Sequence, residues 1–260
     1  MPTIDTGRIS LSYEQSGTGD PPALLLHELG GSSESWWKVA SLLAARRRVI
    51  AVDLRGAGRS EKAVGPFELT DVADDVTEAV AGLGIRKCDV VGAALGSLVG
   101  AVLTLRHPML VRRLAMFAVA DVDEPTQRYL TERASRLRDV GMRGVADASL
   151  ANAFPSAHAA ARAAYRGIYL ANDPAAYGEM SLALARFSMT PEQWGRIAAP
   201  VLVASGAHDF IWPPEAGRRI ASLIPGAAFE VLPDAGHFPH LQTPEALAGM
   251  VGSFLDAPGL

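Results

Sequence analysis

Apolar and polar positions along this chain follow two different spacings, and the switches between them mark out its elements. Ala23-Leu24-Leu25-Leu26 and Val49-Ile50-Ala51-Val52, the latter ending in Asp53, are apolar without interruption. That pattern predicts strands covered on both faces. Arg8 to Gln15 alternates with the period of a half-buried strand and is expected at a sheet edge. Val90-Val91, Leu114 to Val119, Val201 to Ala204 and Phe229 to Leu232 predict later strands. Helical spacing appears in Val72, Ala73, Val76, Val80 and Leu83, which predict a helix capped by Thr70 and ending near Gly84. Leu95 to Arg106 predicts a helix that stops before Pro108. Thr243-Pro244-Glu245 places a cap residue and a first-turn proline ahead of a terminal helix.

Strands alternating with helices imply βαβ units and a largely parallel sheet. Residues 121–190 break the alternation: they are rich in alanine and arginine and read as helical throughout. The expected organisation is therefore a core of residues 1–120 and 191–260 with a helical cap, 121–190, inserted into it. At 260 residues, 49% hydrophobic and 20% charged, the chain has the material for a substantial core. Net charge is only −4 and the one basic run, Arg46-Arg47-Arg48, enters a strand, which argues against nucleic acid as a partner. Cys88 is the single cysteine, so an intramolecular disulfide is excluded and a packing role is expected. No apolar run approaches the roughly 20 residues that span a bilayer. No basic stretch leads into an apolar one near the N-terminus, and a cytoplasmic protein without membrane partners is expected.

The candidate chemistry begins at Cys88-Asp89-Val90-Val91-Gly92-Ala93-Ala94-Leu95-Gly96-Ser97, a strand running through a glycine turn into a helix. The spacing is that of the G-x-S-x-G nucleophile elbow, with Ala94 at the serine position. Ser97 is not a displaced nucleophile, because Leu95 and Val99 stand where its flanking glycines would be. His237, in Asp234-Ala235-Gly236-His237-Phe238-Pro239, is the candidate base. Asp209, in Gly206-Ala207-His208-Asp209, is the candidate acid that orients it, with Asp121 as the alternative. In His27-Glu28-Leu29-Gly30-Gly31, the backbone N–H of Leu29 is a candidate oxyanion donor together with that of Leu95. His27 is expected to brace that loop.

Other residues have subsidiary expectations. Asp53 and Arg55 should hold the turn that follows them, Arg55 alternatively facing a ligand. Glu28, Trp36 and Trp212 are candidate substrate contacts, and Trp37 could border the pocket mouth. Arg128, Arg133, Arg162 and Arg166 read as solvated helix faces, one of which could meet a substrate carboxylate. Gly56-Ala57-Gly58 lacks the dinucleotide-binding spacing and no metal-ligand cluster is present, so no cofactor and no metal are expected.

His27 to Ser33, Asp53-Leu54-Arg55-Gly56-Ala57-Gly58-Arg59-Ser60, Gly92 to Gly96, Gly206 to Asp209 and Gly236-His237-Phe238-Pro239-His240 follow one another across almost the whole chain. Together they resemble the α/β-hydrolase superfamily. Gly30-Gly31-Ser32-Ser33-Glu34-Ser35-Trp36 adds a resemblance to its 3-oxoadipate enol-lactonases and small esterases. The resemblance implies an α/β fold with a mostly parallel eight-stranded sheet flanked by helices, an inserted helical cap, and acyl-enzyme hydrolysis of a small ester or lactone. Ala94 leaves three readings open. The chain is a Ser-to-Ala inactivated hydrolase, a cofactor-free lyase, decarboxylase or oxygenase working through His237 and Asp209, or a non-catalytic small-molecule receptor. The intact set of base, acid and oxyanion loop favours the first.

Overall fold

The uninterrupted apolar runs become the inner strands of one sheet. A computed structural model describes residues 2–63, 65–151 and 153–258. In chain order its elements are β1 (Thr3–Asp5), β2 (Ser10–Ser16), β3 (Ala23–Leu26), α1 (Trp37–Ala44), β4 (Val49–Val52), α2 (Leu69–Gly82), β5 (Cys88–Ala93), α3 (Leu95–Arg106) and β6 (Val111–Phe117). Then come α4 (Glu124–Ala151), α5 (Ala159–Leu170), α6 (Pro174–Arg186), α7 (Pro191–Gly195), β7 (Val201–Gly206), α8 (Pro214–Leu223), β8 (Ala228–Leu232), α9 (Pro239–Gln242) and α10 (Pro244–Asp256).

The eight strands lie in the order β1-β2-β4-β3-β5-β6-β7-β8. β1 and β2 pair antiparallel to their neighbours and the remaining pairs are parallel. The segment expected at the edge is thus one position inward, because the three-residue β1 covers it. A strand that short shows no periodicity of its own.

Alternate residues of each inner strand feed opposite layers. Leu24, Leu26, Val90 and Leu114 pack with Val76 of α2, Leu98 of α3 and Ile220 of α8. Leu25, Val91 and Ala115 pack with Val39 of α1 and with Leu247 and Val251 of α10. Each such large aliphatic side chain removed from water contributes about 1.5–3 kcal/mol, so both helical layers are needed to cover the sheet.

One helix start differs from expectation. Thr70 lies inside the first turn of α2. Glu68 is the cap, with the Asp71 carboxylate accepting from its N–H at 2.8 Å. The acidic pair outcompetes threonine because it satisfies orphan amides from both ends of the turn. Thr243 does stand at the cap position of α10, but its hydroxyl turns back toward the Pro239 carbonyl at 3.4 Å.

Among the described residues, the stretch between β6 and β7 contains helices and no strand. Its own apolar cluster, including Leu137, Val145, Tyr165, Tyr169 and Tyr177, closes against Phe238 beyond β8. Within α4, Gly141 takes φ 60°, ψ −175° and breaks the helix axis. The basic run before β4 is engaged internally: Arg46 and Arg47 pair with Asp256, and Arg48 donates to Gln15. Cys88 is buried beside Asp89, and burial, reinforced by that carboxylate, pushes its thiol up to about 12. It stays protonated, as a packing residue should. No helix among the described residues is long and apolar enough to cross a membrane.

Candidate active site

One residue separates β5 from α3, and it is Ala94, at φ 47° and ψ −110°. A side-chain-bearing residue in that region is strained by about 1–3 kcal/mol. The turn is enforced by close approach on both sides. A Cβ on Gly92 would run into the Gly96 carbonyl, and one on Gly96 into the carbonyl of Leu26. The Ala94 N–H donates to Phe117 O at 2.8 Å, while its carbonyl accepts from Ser97 N at 3.0 Å. The Ser97 hydroxyl lies 2.8 Å from the Gly92 carbonyl and accepts from the Phe117 N–H at 3.0 Å. It pins the elbow to β6 and is wholly buried.

His237 follows β8 and Asp209 follows β7, at the carboxyl ends of adjacent parallel strands. Their side chains meet with Nδ1 2.9 Å from Oδ2, both buried. A carboxylate can only accept, so Nδ1 carries the proton, and in the neutral imidazole Nε2 keeps its lone pair. The other oxygen, Oδ1, accepts from the N–H groups of Ile211 and Trp212, each at 2.9 Å. Asp209 is therefore held by its own loop as well as by the imidazole. Asp121, the alternative acid, pairs instead with Arg219 at 3.3 Å.

The loop after β3 is braced as expected. His27 Nδ1 lies 2.8 Å from Glu28 O, and its Nε2 accepts from the Leu54 N–H at 3.0 Å. Asp53 accepts from the backbone of Ser33 and Arg59 at 2.6 and 2.8 Å. From the insertion, Asn172 donates to Gly30 O at 2.9 Å. The amides of Leu29 and Leu95 have no acceptor among the described residues, and both residues line the same cavity as Ala94 and His237. That cavity measures about 100 Å³, room for a small molecule only.

Some expected contacts fall elsewhere. Trp212 lines the cavity and meets the His237 ring edge-on at 5.6 Å. Trp36 does not: it is fully buried and stacked on His240 at 4.6 Å. Trp37 is exposed outside the cavity. Glu28 is buried and hydrogen-bonded to His240 at 2.9 Å, its carboxylate spent on the protein rather than left for a substrate. Arg55 grips Asp75 at 2.6 and 2.8 Å and covers the Phe67 ring, which leaves it unavailable to a ligand. Arg128 is exposed and Arg166 pairs with Asp147. Arg133 reaches the cavity.

Tyr165, Tyr169 and Tyr177, absent from the sequence-based expectations, form the aromatic wall opposite the sheet. Tyr165 and Tyr169 stand one helical turn apart on α5, and that spacing was the available signal. His240, two residues beyond Phe238, is the partner of Glu28.

Residues 23–250 match the model of the alpha/beta hydrolase family, and the chain belongs to that family. The enol-lactonase of Burkholderia xenovorans LB400 is 28% identical and superposes with a TM-score of 0.93 over 98% of this chain and 100% of that one. A thermophilic esterase from Thermogutta terrifontis is 27% identical, with a TM-score of 0.90 over 95% and 93% of the two chains. A provisionally named carbamate hydrolase of Variovorax paradoxus is 32% identical over 237 residues, 87% of this chain and 89% of that protein. Relatives of this kind support a hydrolase scaffold with a small-molecule substrate.

Proposed function

We propose that the chain is a serine-type hydrolase of a small ester or lactone, standing in a Ser-to-Ala inactivated form. The observation that carries this reading is the His237–Asp209 pair. Its acid is fully satisfied, and its imidazole shares one cavity with the Ala94 methyl and with the free amides of Leu29 and Leu95. Residues 121–190 act as the cap over that cavity, supplying its aromatic wall.

With serine at position 94, the hydroxyl would attack the substrate carbonyl while His237 Nε2 takes its proton. Asp209 fixes the imidazole tautomer and stabilises the imidazolium. The Leu29 and Leu95 amides receive the negative charge that develops on the carbonyl oxygen, where fixed donors in a water-poor site act most strongly. His237 then protonates the leaving alkoxide. Finally it deprotonates a water that releases the acid. Ala94 has neither the oxygen nor the proton, so the chain as it stands binds substrate and does not form the acyl-enzyme.

The test is Ala94→Ser assayed with short-chain aryl esters and lactones. Turnover at least about a thousandfold above the Ala94 protein is expected. A serine form that neither binds nor cleaves such compounds overturns the reading. A second reading is favoured by the free Nε2 of His237: without a hydroxyl to engage, it can take a proton directly from a substrate or from water, as cofactor-free lyase, decarboxylase or oxygenase chemistry requires. It demands turnover by the unmodified chain that disappears in His237→Ala.

A further inference from the structure

The Leu29 amide is aimed by the residue before it. The Glu28 carbonyl accepts from the Gly31 N–H at 3.0 Å and lies 2.8 Å from His27 Nδ1. His27 Nε2 already accepts from the Leu54 N–H, so Nδ1 carries the proton and donates to that carbonyl. In a planar trans peptide the N–H points away from the C=O. Holding the Glu28 carbonyl on one side therefore turns the Leu29 N–H to the other, toward the cavity that Leu29 shares with Ala94 and His237.

Those bonds are local and fix the amide only within its own loop. Its position relative to His237 depends on the side chain of the same residue. Glu28 is wholly buried, with Oε2 2.9 Å from His240 Nε2 and Oε1 accepting from the Ser35 hydroxyl at 2.8 Å. Gly31 makes room for it, since a Cβ there would run into the carboxylate. From the insertion, Tyr165 faces the same carboxylate. His240 stands on α9, three residues past His237. Gln242, on the same short helix, accepts from the Gly236 N–H at 2.7 Å and donates to Ala153 O at 2.8 Å, which ties α9 to the residue beside the base. His240 also stacks on Trp36, but its Nδ1 is buried with no partner among the described residues. Stacking alone would be served by an apolar ring without that orphan.

We propose that Glu28 is a positioning residue of the oxyanion site, its carboxylate holding the Leu29 amide at a fixed separation from His237 through His240. Leu95 is placed by the elbow, whereas Leu29 rides on a loop, and the Glu28–His240 contact ties that loop to the base it works with. Proton transfer to His237 and charge on the carbonyl oxygen develop in one step, so the amide and the imidazole have to be in register together. The assignment rests on the reading of this cavity as an ester or lactone site.

The experiment uses a Glu28→Met/His240→Phe double variant, which removes both polar partners at once and keeps a ring against Trp36. Such a paired replacement is expected to leave stability nearly unchanged. In the Ala94→Ser background it should lower kcat on a short-chain aryl ester about a hundredfold while KM stays within about threefold, a split that a merely structural role does not produce. In the unmodified protein, NMR with isotope-labelled leucine should show the Leu29 amide resonance moved or broadened by the double variant, with that of Leu95 unchanged. An unmoved Leu29 resonance overturns the proposal whether or not any ester is cleaved, as does undiminished kcat in an active serine form. If the double variant does not fold, Ser35→Ala frees the carboxylate from one partner only, and the Leu29 resonance decides in the same way. A moved Leu29 resonance beside a serine form that cleaves nothing sinks the hydrolase reading and leaves the positioning of the amide standing.

Discussion

Glu28 and His240 stand 212 positions apart in the chain and 2.9 Å apart in the structure, both closed off from solvent. The pair joins the loop that presents the Leu29 amide to the turn that follows His237. Ser35 completes it, its hydroxyl donating to Glu28 Oε1 at 2.8 Å. Burial alone would push the Glu28 carboxyl up; the attraction of His240 and its hydrogen bond outweigh that and hold it at about 2, against an ordinary 4.5.

This pair predicts an acid limit to stability. A carboxyl depressed in the folded state stabilises the protein above its unfolded value, and that contribution fades as pH falls from about 4.5 toward 2. Thermal unfolding in steps across that window should show the decline. Glu28→Gln should flatten it and at neutral pH should cost about 3–5 kcal/mol, the usual penalty for breaking a buried pair. An unchanged acid profile in Glu28→Gln would remove the pair from the account.

In the Ala94→Ser background the base and its orienting acid should be separable. His237→Ala should abolish ester turnover, and Asp209→Asn should lower kcat by roughly ten-thousandfold by presenting the wrong tautomer. Steady-state kinetics on one aryl ester decide both, with substrate binding by calorimetry as the control. Full activity in Asp209→Asn would refute the orienting role drawn from the 2.9 Å contact.

The elbow itself makes a prediction that needs no substrate. Ala94→Gly relieves the strain of φ 47° and should stabilise the fold by about 1 kcal/mol after the entropy of the unfolded glycine is counted. Chemical denaturation measures it; a loss of more than about 1 kcal/mol would mean that the methyl packs better than the turn is strained.

Gly96→Ala should act in the opposite sense. Its new methyl meets the Leu26 carbonyl, a backbone atom of the neighbouring strand that cannot swing aside. A loss of about 1–3 kcal/mol is expected, readable in the same denaturation series. Wild-type stability in that variant would show that β3 and the elbow are less tightly apposed than the structure has them.

Much of this architecture was legible in the chain because it rests on local patterns. Runs such as Leu24-Leu25-Leu26 announce strands buried on both sides, and Leu95 to Arg106 announces its helix to the residue. His237 and Asp209 were legible because each sits just past a recognisable strand, where a parallel sheet gathers its loops. What was not legible depends on long-range approach. β1 is too short to carry a period, Glu28 and His240 have no sequence relation to one another, and Trp36 turned out to be structural because its partner lies on another element. The tyrosine wall depends on how the insertion closes; the spacing of Tyr165 and Tyr169 marks a shared helix face but not what that face meets.

The turn at residue 94 is shaped by its neighbours, through the clearance Gly92 and Gly96 allow and the bonds made by Ala94's own backbone, and not by the side chain it displays. Folding and chemistry are therefore nearly uncoupled at this position. A small side chain can be exchanged for another there while the scaffold stays indifferent, so reactivity could be lost or regained in one substitution without passing through a misfolded ancestor.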